Sequence, residues 1–224
     1  MATTTRRHAT PVVLTPVELG APVSSTYVRL VKPVIDRLVA LLALILLLPL
    51  FAVVAMGVYT SLGAPLIFGQ ERVGLGGRSF TVYKFRSMNA DRRRTAATFD
   101  GFDRRRTHKS EQDPRLTPTG RLIRRLSLDE LPQLINVLRG DMSLVGPRPE
   151  LPGIVEEHYA EWMHRRHAVK PGMTGLWQVS ERGNGMMHEH VDVDLDYVDQ
   201  VGLGTDMRIL AKTLPAALHT NQGV

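Results

Sequence analysis

The stretch Ser127-Leu128-Asp129-Glu130-Leu131-Pro132 places two adjacent carboxylates directly before an apolar pattern. The apolar residues that recur at intervals of three and four are Leu131, Leu134, Ile135 and Leu138. This spacing predicts a helix, and Gly140 is a typical residue just beyond a helix C-terminus. Both acids would then lie at the helix N-terminus, where unpaired backbone N–H groups and the helix dipole favour anions.

Two residues compete for the N-cap of this helix. Ser127 with Glu130 three residues later has the pattern of a capping box. That choice puts Pro132 at the fifth helical position, where its ring meets the carbonyl of Leu128. Asp129 as the cap moves Pro132 to the third position, where its missing N–H costs nothing, and we favour Asp129 at or next to the cap. Taken alone, the two acids are either ordinary first-turn residues or reactive groups.

The composition bounds the class of protein. The chain has 224 residues, enough for one domain with a sizeable core. It carries 28 Lys and Arg against 22 Asp and Glu, so an anionic partner is indicated: a phosphate ligand, a lipid surface or nucleic acid. The absence of cysteine excludes disulfides and thiolate metal sites. Residues 1–27 show no periodic pattern, and we predict a mobile tail there and a short one at 219–224.

A long apolar run predicts a membrane-inserted helix within residues 28–63. Residues 38–56 are all apolar, which is long enough to enter a bilayer and leaves no polar face for a soluble helix. Pro49 would break or kink that helix. Basic residues flank both ends, and the positive-inside rule places both flanks on the cytoplasmic side. A re-entrant helix that turns at Pro49 satisfies both constraints, and an ordinary kinked span is the alternative.

A β-hairpin and a basic segment follow. Residues 65–72 and 79–87 have the alternation of two strands, joined by the turn Gly74-Leu75-Gly76-Gly77. No helix pattern follows the turn, so a plain hairpin is favoured over a phosphate-binding loop. Residues 84–125 hold thirteen Lys or Arg and five Asp or Glu. Few aromatic residues stand among these charges, which argues against single-stranded nucleic acid as the partner.

Several cations are candidates for binding phosphate. Thr117-Pro118 predicts the start of a short helix that ends at Arg124 and Arg125, close in sequence to the acids. Arg148 lies between two prolines in residues 141–150, an extended loop by prediction, so its backbone is stiff. Guanidinium forks bind phosphate oxygens and carboxylates bind metal. A salt-bridged surface is the plainer alternative. Lys84 and Arg86, on one face of the second strand, are weaker candidates.

The remaining patterns are less specific. Residues 154–167 read as one helix whose aromatic and basic residues suit either a bilayer interface or a core. His188 and His190 are two residues apart, which is not the helical spacing of a zinc site. Residues 206–218 predict a last helix. Together these elements predict an α+β, mainly helical fold with a re-entrant membrane helix, a small β-hairpin, and a helical body with interfacial helices at 64–218.

Taken together, these motifs resemble the bacterial sugar transferases, the small monotopic phosphoglycosyl transferases that begin exopolysaccharide and glycan assembly. The resemblance runs from about Val31 to Thr213. It is carried by residues 65–74, 84–88, 113–115, 117, 120–121, 127–133, 140–149, 170–172, 174–175, 178–179, 194, 197–198 and 206. The chain departs from the family pattern at Leu48-Pro49, where a Ser often precedes the Pro, and around Arg182.

The resemblance implies a reaction and a location. The expected reaction is transfer of a sugar-1-phosphate from a UDP-sugar to polyprenyl (undecaprenyl) phosphate with release of UMP. Asp129 would be the nucleophile that carries a covalent phosphosugar, and Glu130 would help to hold Mg²⁺. Arg124, Arg148, Lys84 and Arg86 would bind substrate phosphate. The catalytic body would lie on the cytoplasmic face of the bacterial inner membrane, bound to lipid and without nucleic acid, and an oligomer is allowed.

Two other functions remain as alternatives. A glycosyltransferase that moves only the sugar would release UDP instead of UMP. A membrane-tethered basic protein that binds nucleic acid or anionic lipid would have no need of Asp129.

Overall fold

The computed structural model describes Val23 and residues 25–89, 115–180 and 187–218. The predictions for both tails, for most of the basic segment and for Arg182 fall largely or wholly outside these residues. The described residues form the N-terminal helices, the hairpin and the body that carries the Asp-Glu pair.

The N-terminal apolar run forms two helices joined at a sharp bend. A π-helical turn at Tyr27–Val31 continues into α1 (Lys32–Leu46), and α2 (Leu48–Leu62) follows. The two axes differ by 65°, with the corner at Leu47, and Pro49 is the second residue of α2. Proline fits a first helical turn because its missing N–H has no partner there anyway.

The length of these helices bears on the membrane prediction. Within the described residues, no single helix is long and apolar enough to cross a membrane, whereas the bent pair passes that test when taken together. Most large apolar side chains of the pair, such as Leu42, Leu46 and Val53, are exposed on the protein surface.

The predicted hairpin is confirmed. Strand β1 (Ile67–Val73) pairs antiparallel with β2 (Ser79–Phe85), with Val73 opposite Ser79 and Ile67 opposite Phe85. Gly76 and Gly77 lie in the turn with φ of 65° and 73°, values that glycine adopts without a steric penalty.

The segment around the acids differs from the prediction. Helix α3 (Pro118–Arg125) starts as expected, because Oγ1 of Thr117 accepts the Gly120 N–H at 3.0 Å. The prediction that the acids begin a longer helix was wrong: Leu128–Glu130 is one 3₁₀ turn, and α4 (Gln133–Arg139) begins after Pro132.

The expected capping arrangements are not found. Ser127 occupies the N-cap position of the 3₁₀ turn but its side chain makes no cap hydrogen bond, and α4 has Pro132 rather than Asp129 at its N-cap position. Ser127 has φ 55° and ψ 19°, a left-handed conformation that redirects the chain between α3 and the turn. The acids therefore lie on a tight turn of their own, whereas Gly140 ends α4 as predicted, with φ 85°.

A second sheet was not predicted from the sequence. Strand β3 (Ser143–Val145) lies within the predicted extended loop, and it pairs in parallel with β4 (Gly172–Thr174). Glycine is needed beside it, because a Cβ on Gly146 would come within 2.4 Å of the Lys170 carbonyl oxygen. The two strands anchor both ends of the segment that contains Arg148.

The C-terminal half is helical and more broken than predicted. The prediction of one helix over 154–167 was wrong. Helix α5 (Pro152–His158) ends at His158, and Glu161–Ala168 forms a separate 3₁₀ helix. Tyr159 and Ala160 between them are extended. Helices α6 (Leu176–Ser180), α7 (Val191–Gln200) and α8 (Leu203–Leu218) follow, and the last confirms the predicted C-terminal helix.

Two apolar clusters hold the helical pair against the body. One joins α1, the hairpin and α4 through Ala40, Val82, Leu134, Val137 and Met142. The other joins α2, β2 and α3 through Val54, Val58, Phe85 and Ile123, with Leu128 and Leu131 packed against it. The turn with the two acids thus packs directly against α2.

Buried charges fasten the two ends of the described chain together. Lys32 Nζ contacts Asp206 Oδ2 at 2.5 Å and Asp36 Oδ2 at 3.7 Å. Tyr27 and Tyr197 each donate a hydroxyl hydrogen bond to Asp206, at 2.6 and 2.8 Å.

The elements together confirm the mainly helical α+β fold. Membrane insertion and the cytoplasmic face remain predictions.

Candidate active site

Asp129 is a buried carboxylate with an unpaired oxygen. Only 3% of its surface is exposed, and its Oδ1 has no hydrogen-bond partner within the part of the chain that the structure describes. A buried, unpaired carboxylate oxygen costs free energy and calls for an explanation, and catalysis or a bound ion is among those that apply. The Oδ1 atom is therefore not engaged in a helix cap.

Glu130, the next residue, gathers two cations. Its Oε1 accepts from Lys84 Nζ at 3.0 Å and from Arg148 Nη2 at 3.1 Å. The Glu130 side chain is only 14% exposed, so these charge-assisted bonds are poorly screened. The structure thus brings together four of the predicted site residues, namely Asp129, Glu130, Lys84 and Arg148.

The loop that carries Arg148 is held at three consecutive carbonyl groups. The Gly172 N–H donates to Pro147 O at 2.9 Å, Arg166 Nη2 donates to Arg148 O at 2.7 Å, and Arg72 Nη1 donates to Pro149 O at 3.1 Å. The carboxylate of Glu130 raises the pKa of Arg148 above its ordinary value, although burial opposes this. Arg148 is therefore a fixed and permanent cation.

Arg72 is a site residue that the sequence did not reveal. It also pairs with Glu150 at 3.7 Å and donates to the Gln70 side chain at 2.8 Å. Burial lowers its pKa to about 10, and the nearby charge of Arg148 adds to that effect. It still carries its charge at neutral pH, so it adds a cation behind Arg148. Its position on β1, opposite Phe80, could not be assigned to the site without knowing how the hairpin packs.

The other two predicted cations lie in different surroundings. Arg124, in the last turn of α3, is only 6% exposed, and its backbone oxygen accepts the Ser127 N–H at 3.0 Å. It therefore lies shortly before the turn that carries Asp129 and Glu130. Arg86 instead binds the C-terminal carbonyls of α2, those of Leu62 and Gly63. There it stabilises the negative end of the helix, and the structure does not bring it to Glu130.

Asn136 docks the hairpin onto α4, and the sequence analysis did not identify it. It is fully buried, its Oδ1 accepts the Tyr83 N–H at 3.1 Å, and its Nδ2 donates to Thr81 O at 2.7 Å. These bonds occupy the outer edge of β2 on both sides of Val82. Lys84 on the same strand is thereby placed beside Glu130.

The carboxylates suit Mg²⁺ better than zinc. The described residues contain no group of three or more His, Cys, Asp or Glu side chains that could hold a metal by themselves. His188 and His190 are among the residues described, and they are not part of such a group. Mg²⁺ usually binds one or two carboxylates together with water and substrate phosphates. The unpaired Oδ1 of Asp129 next to Glu130 fits that donor set.

Comparison with known proteins assigns the family. The bacterial sugar transferase family matches residues 27–220 of this chain. The exopolysaccharide production protein ExoY of Sinorhizobium fredii is 40% identical over 222 residues, which cover 94% of each chain. The chain therefore belongs to the bacterial sugar transferase family, and it is an enzyme of the transferase class.

Two relatives carry names that state a reaction. The UDP-glucose:undecaprenyl-phosphate glucose-1-phosphate transferase of Caulobacter vibrioides is 36% identical over 210 residues, covering 90% of this chain and 75% of that one. The undecaprenyl-phosphate galactose phosphotransferase of Salmonella typhimurium is 41% identical over 197 residues. The match covers 85% of this chain and 41% of the Salmonella protein, which is thus much longer.

Proposed function

We propose that this protein transfers a sugar-1-phosphate from a UDP-sugar to polyprenyl (undecaprenyl) phosphate and releases UMP. The observation that carries the proposal is the buried Asp129 carboxylate with its unpaired oxygen, next to a glutamate that gathers Lys84 and Arg148. The names of the relatives supply the donor and acceptor classes. By the same similarity, the step belongs to the start of exopolysaccharide or glycan assembly.

The first displacement uses Asp129 as the nucleophile. A carboxylate oxygen forms a bond to the phosphorus that carries the sugar, and the bond from that phosphorus to the bridging oxygen breaks. The electron pair leaves with UMP, so the enzyme keeps an aspartyl phosphosugar. In the second displacement an oxygen of polyprenyl phosphate attacks the same phosphorus and frees the Asp129 carboxylate. Two displacements suit an acceptor that arrives separately through the membrane.

The cations offset the electrostatic repulsion between the Asp129 carboxylate and the diphosphate of the substrate. Lys84 and Arg148 lie within 3.1 Å of the Glu130 side chain, directly next to the nucleophile in sequence. Preorganised cations lower the barrier because they need no rearrangement as charge develops. Asp129 and Glu130 would hold Mg²⁺, which supplies further neutralisation of the phosphate oxygens when bound. Arg124 completes the proposed phosphate site, and Arg86 is assigned to the end of α2 instead.

The bent helical pair would bring the site to its lipid substrate. Its two helices differ by 65° and expose most of their large apolar side chains. A pair that enters and leaves on one side keeps the basic flanks on the cytoplasmic face, as the positive-inside rule prefers. Because the turn that carries Asp129 and Glu130 packs against α2, the phosphate head group of a polyprenyl chain in the bilayer would lie close to Asp129.

Covalent labelling tests the nucleophile directly. Membranes with the wild-type chain, given UDP-sugar labelled at the sugar-bearing phosphorus, should transfer label to the protein, and undecaprenyl phosphate should chase it into lipid. Asp129→Asn should lose labelling and lower UMP release by a factor on the order of 1,000 or more. Asp141→Asn, at an exposed acid, is the control and should retain both.

The products separate the alternatives. Release of UDP would identify a glycosyltransferase and refute the proposal. Unchanged UMP release by Asp129→Asn would remove the aspartyl intermediate. Removal of divalent cations with EDTA should abolish release, and added Mg²⁺ should restore it. A tag at the N-terminus found outside the cell, with the body inside, would contradict the re-entrant arrangement.

A further inference from the structure

Arg166 is a buried cation that contacts the backbone of the loop that carries Arg148. Only 2% of its surface is exposed, and it lies in the 3₁₀ helix Glu161–Ala168, outside the cluster around Glu130. Its Nη2 donates to the backbone oxygen of Arg148 at 2.7 Å and pairs with the Asp194 carboxylate, and its Nη1 donates to the Tyr159 hydroxyl. One guanidinium thus joins three separate segments of the body.

The charge of Arg166 is secured by its partner. Burial alone would lower its pKa, but the Asp194 carboxylate raises it above the ordinary value. Asp194 is itself only 1% exposed, on α7. A buried ion pair of this kind costs desolvation and is weak evidence for stability alone. Its geometry points elsewhere, since the guanidinium is directed at the peptide oxygen of the residue that contacts Glu130.

We propose that Arg166 is a positioning residue for sugar-phosphate transfer, which acts by fixing the backbone of Arg148 so that the Arg148 side chain meets Glu130 and the substrate phosphate. This proposal rests on the proposed function above. The planar fork of arginine holds the Arg148 oxygen, Asp194 and Tyr159 in fixed directions at once, whereas a lysine ammonium offers a point charge without that geometry.

The test is a double-mutant cycle between residues 166 and 148. Arg166→Lys keeps the charge and should lower kcat for UMP release by about 10- to 100-fold, the range expected for a misplaced catalytic contact, with KM changed less than about threefold. In an Arg148→Ala background the same substitution should change kcat by less than about twofold, because no side chain remains to be positioned. Equal losses in both backgrounds would overturn the proposal.

Matched variants keep the result interpretable. Arg165→Lys is the same substitution one residue earlier, at a half-exposed pair with Asp199, and it should leave kcat unchanged. If Arg166→Lys does not fold, Asp194→Asn weakens the hold on Arg166 and should show a smaller loss that also vanishes in the Arg148→Ala background. If Arg148→Ala turns over too slowly to measure, the cycle is read from the Kd for UDP by calorimetry, with the same two outcomes.

Failure of the inference differs from failure of the proposed function. A wild-type chain that releases UDP, or no nucleotide, refutes the function whatever the variants do. A wild-type chain that releases UMP, together with additive losses at residues 166 and 148, refutes only the positioning role.

Discussion

Replacing Asn136 with alanine should loosen the hairpin from α4 and reduce the free energy of unfolding by about 2–4 kcal/mol. The substitution removes two hydrogen bonds, from the Tyr83 N–H at 3.1 Å and to the Thr81 oxygen at 2.7 Å. Each leaves a backbone group without its partner, at about 1–3 kcal/mol for a buried group. Both bonds are only partly buried, so the lower half of that range applies to each.

The measurement is urea unfolding of the detergent-solubilised chain, followed by the fluorescence of its two tryptophans. Tyr83→Phe is the control, since it removes one exposed hydrogen bond, to Arg139, from the same strand. Its effect should stay within about 0.5 kcal/mol. Because Lys84 is next to Tyr83, Asn136→Ala should also lower UMP release under conditions where the variant is still folded.

A loss of stability no larger than that of Tyr83→Phe would refute the role of Asn136 in holding the hairpin. In that case the hairpin would be held by the apolar cluster around Val82 alone, and the edge hydrogen bonds of β2 would contribute nothing measurable. An unfolding loss with unchanged UMP release would refute the link between hairpin docking and Lys84.

Two further predictions concern pH and backbone packing. Burial lowers the pKa of His167 to about 3, so the imidazole stays neutral in the folded chain at pH 5, whereas the unfolded chain takes up a proton near pH 6.5. The stability that the neutral form contributes above pH 6.5 is therefore lost as the pH falls, and the loss is about 2 kcal/mol at pH 5. Thermal unfolding should show this loss in the wild type and less of it in His167→Phe, and equal losses would contradict it. Gly146→Ala should destabilise by about 1–3 kcal/mol or more, because its Cβ would lie 2.4 Å from the Lys170 oxygen. Gly204→Ala, which meets nothing within 4 Å, should be neutral or slightly stabilising in the same urea assay, and a neutral Gly146→Ala would refute the close approach.

Local patterns predicted the elements whose signals are local. The alternation on both sides of Gly74–Gly77 gave the hairpin, and Thr117-Pro118 gave the start of α3, because turn and cap chemistry depend on neighbours in sequence. The break in the apolar run was expected at Pro49 and lies at Leu47, two residues earlier. Proline specifies the first turn of a helix, so the corner precedes it.

Features set by distant contacts were not predictable in this way. The three-residue strands β3 and β4 pair across 29 positions, and nothing in either segment identifies the other. The predicted helix over 154–167 breaks at Tyr159, and the buried Arg166 reaches two partners outside that stretch, the Arg148 backbone oxygen and the Asp194 carboxylate. Tertiary contacts thus override a local propensity.

Four residues of the candidate site were named from the sequence, and the residues that hold them in place were not. Asp129, Glu130, Lys84 and Arg148 were named from motifs, and the structure brings them together. Asn136, Arg72 and Arg166, which hold those residues in place, are polar side chains in otherwise ordinary patterns. Their role depends on which backbone oxygen or N–H they meet, and sequence spacing does not encode that.

The buried contact between Lys32 and Asp206 also has a consequence for the order of synthesis. The two residues are 174 positions apart, so at translation rates of about 5–20 residues per second the partner emerges roughly 10–35 s later. Of the two described carboxylates that pair with Lys32, Asp36, one helical turn away at 3.7 Å in the finished fold, is the one already present. Helix α1 thus carries the Lys32–Asp36 pair from the start, and α8 adds the second carboxylate when the body closes.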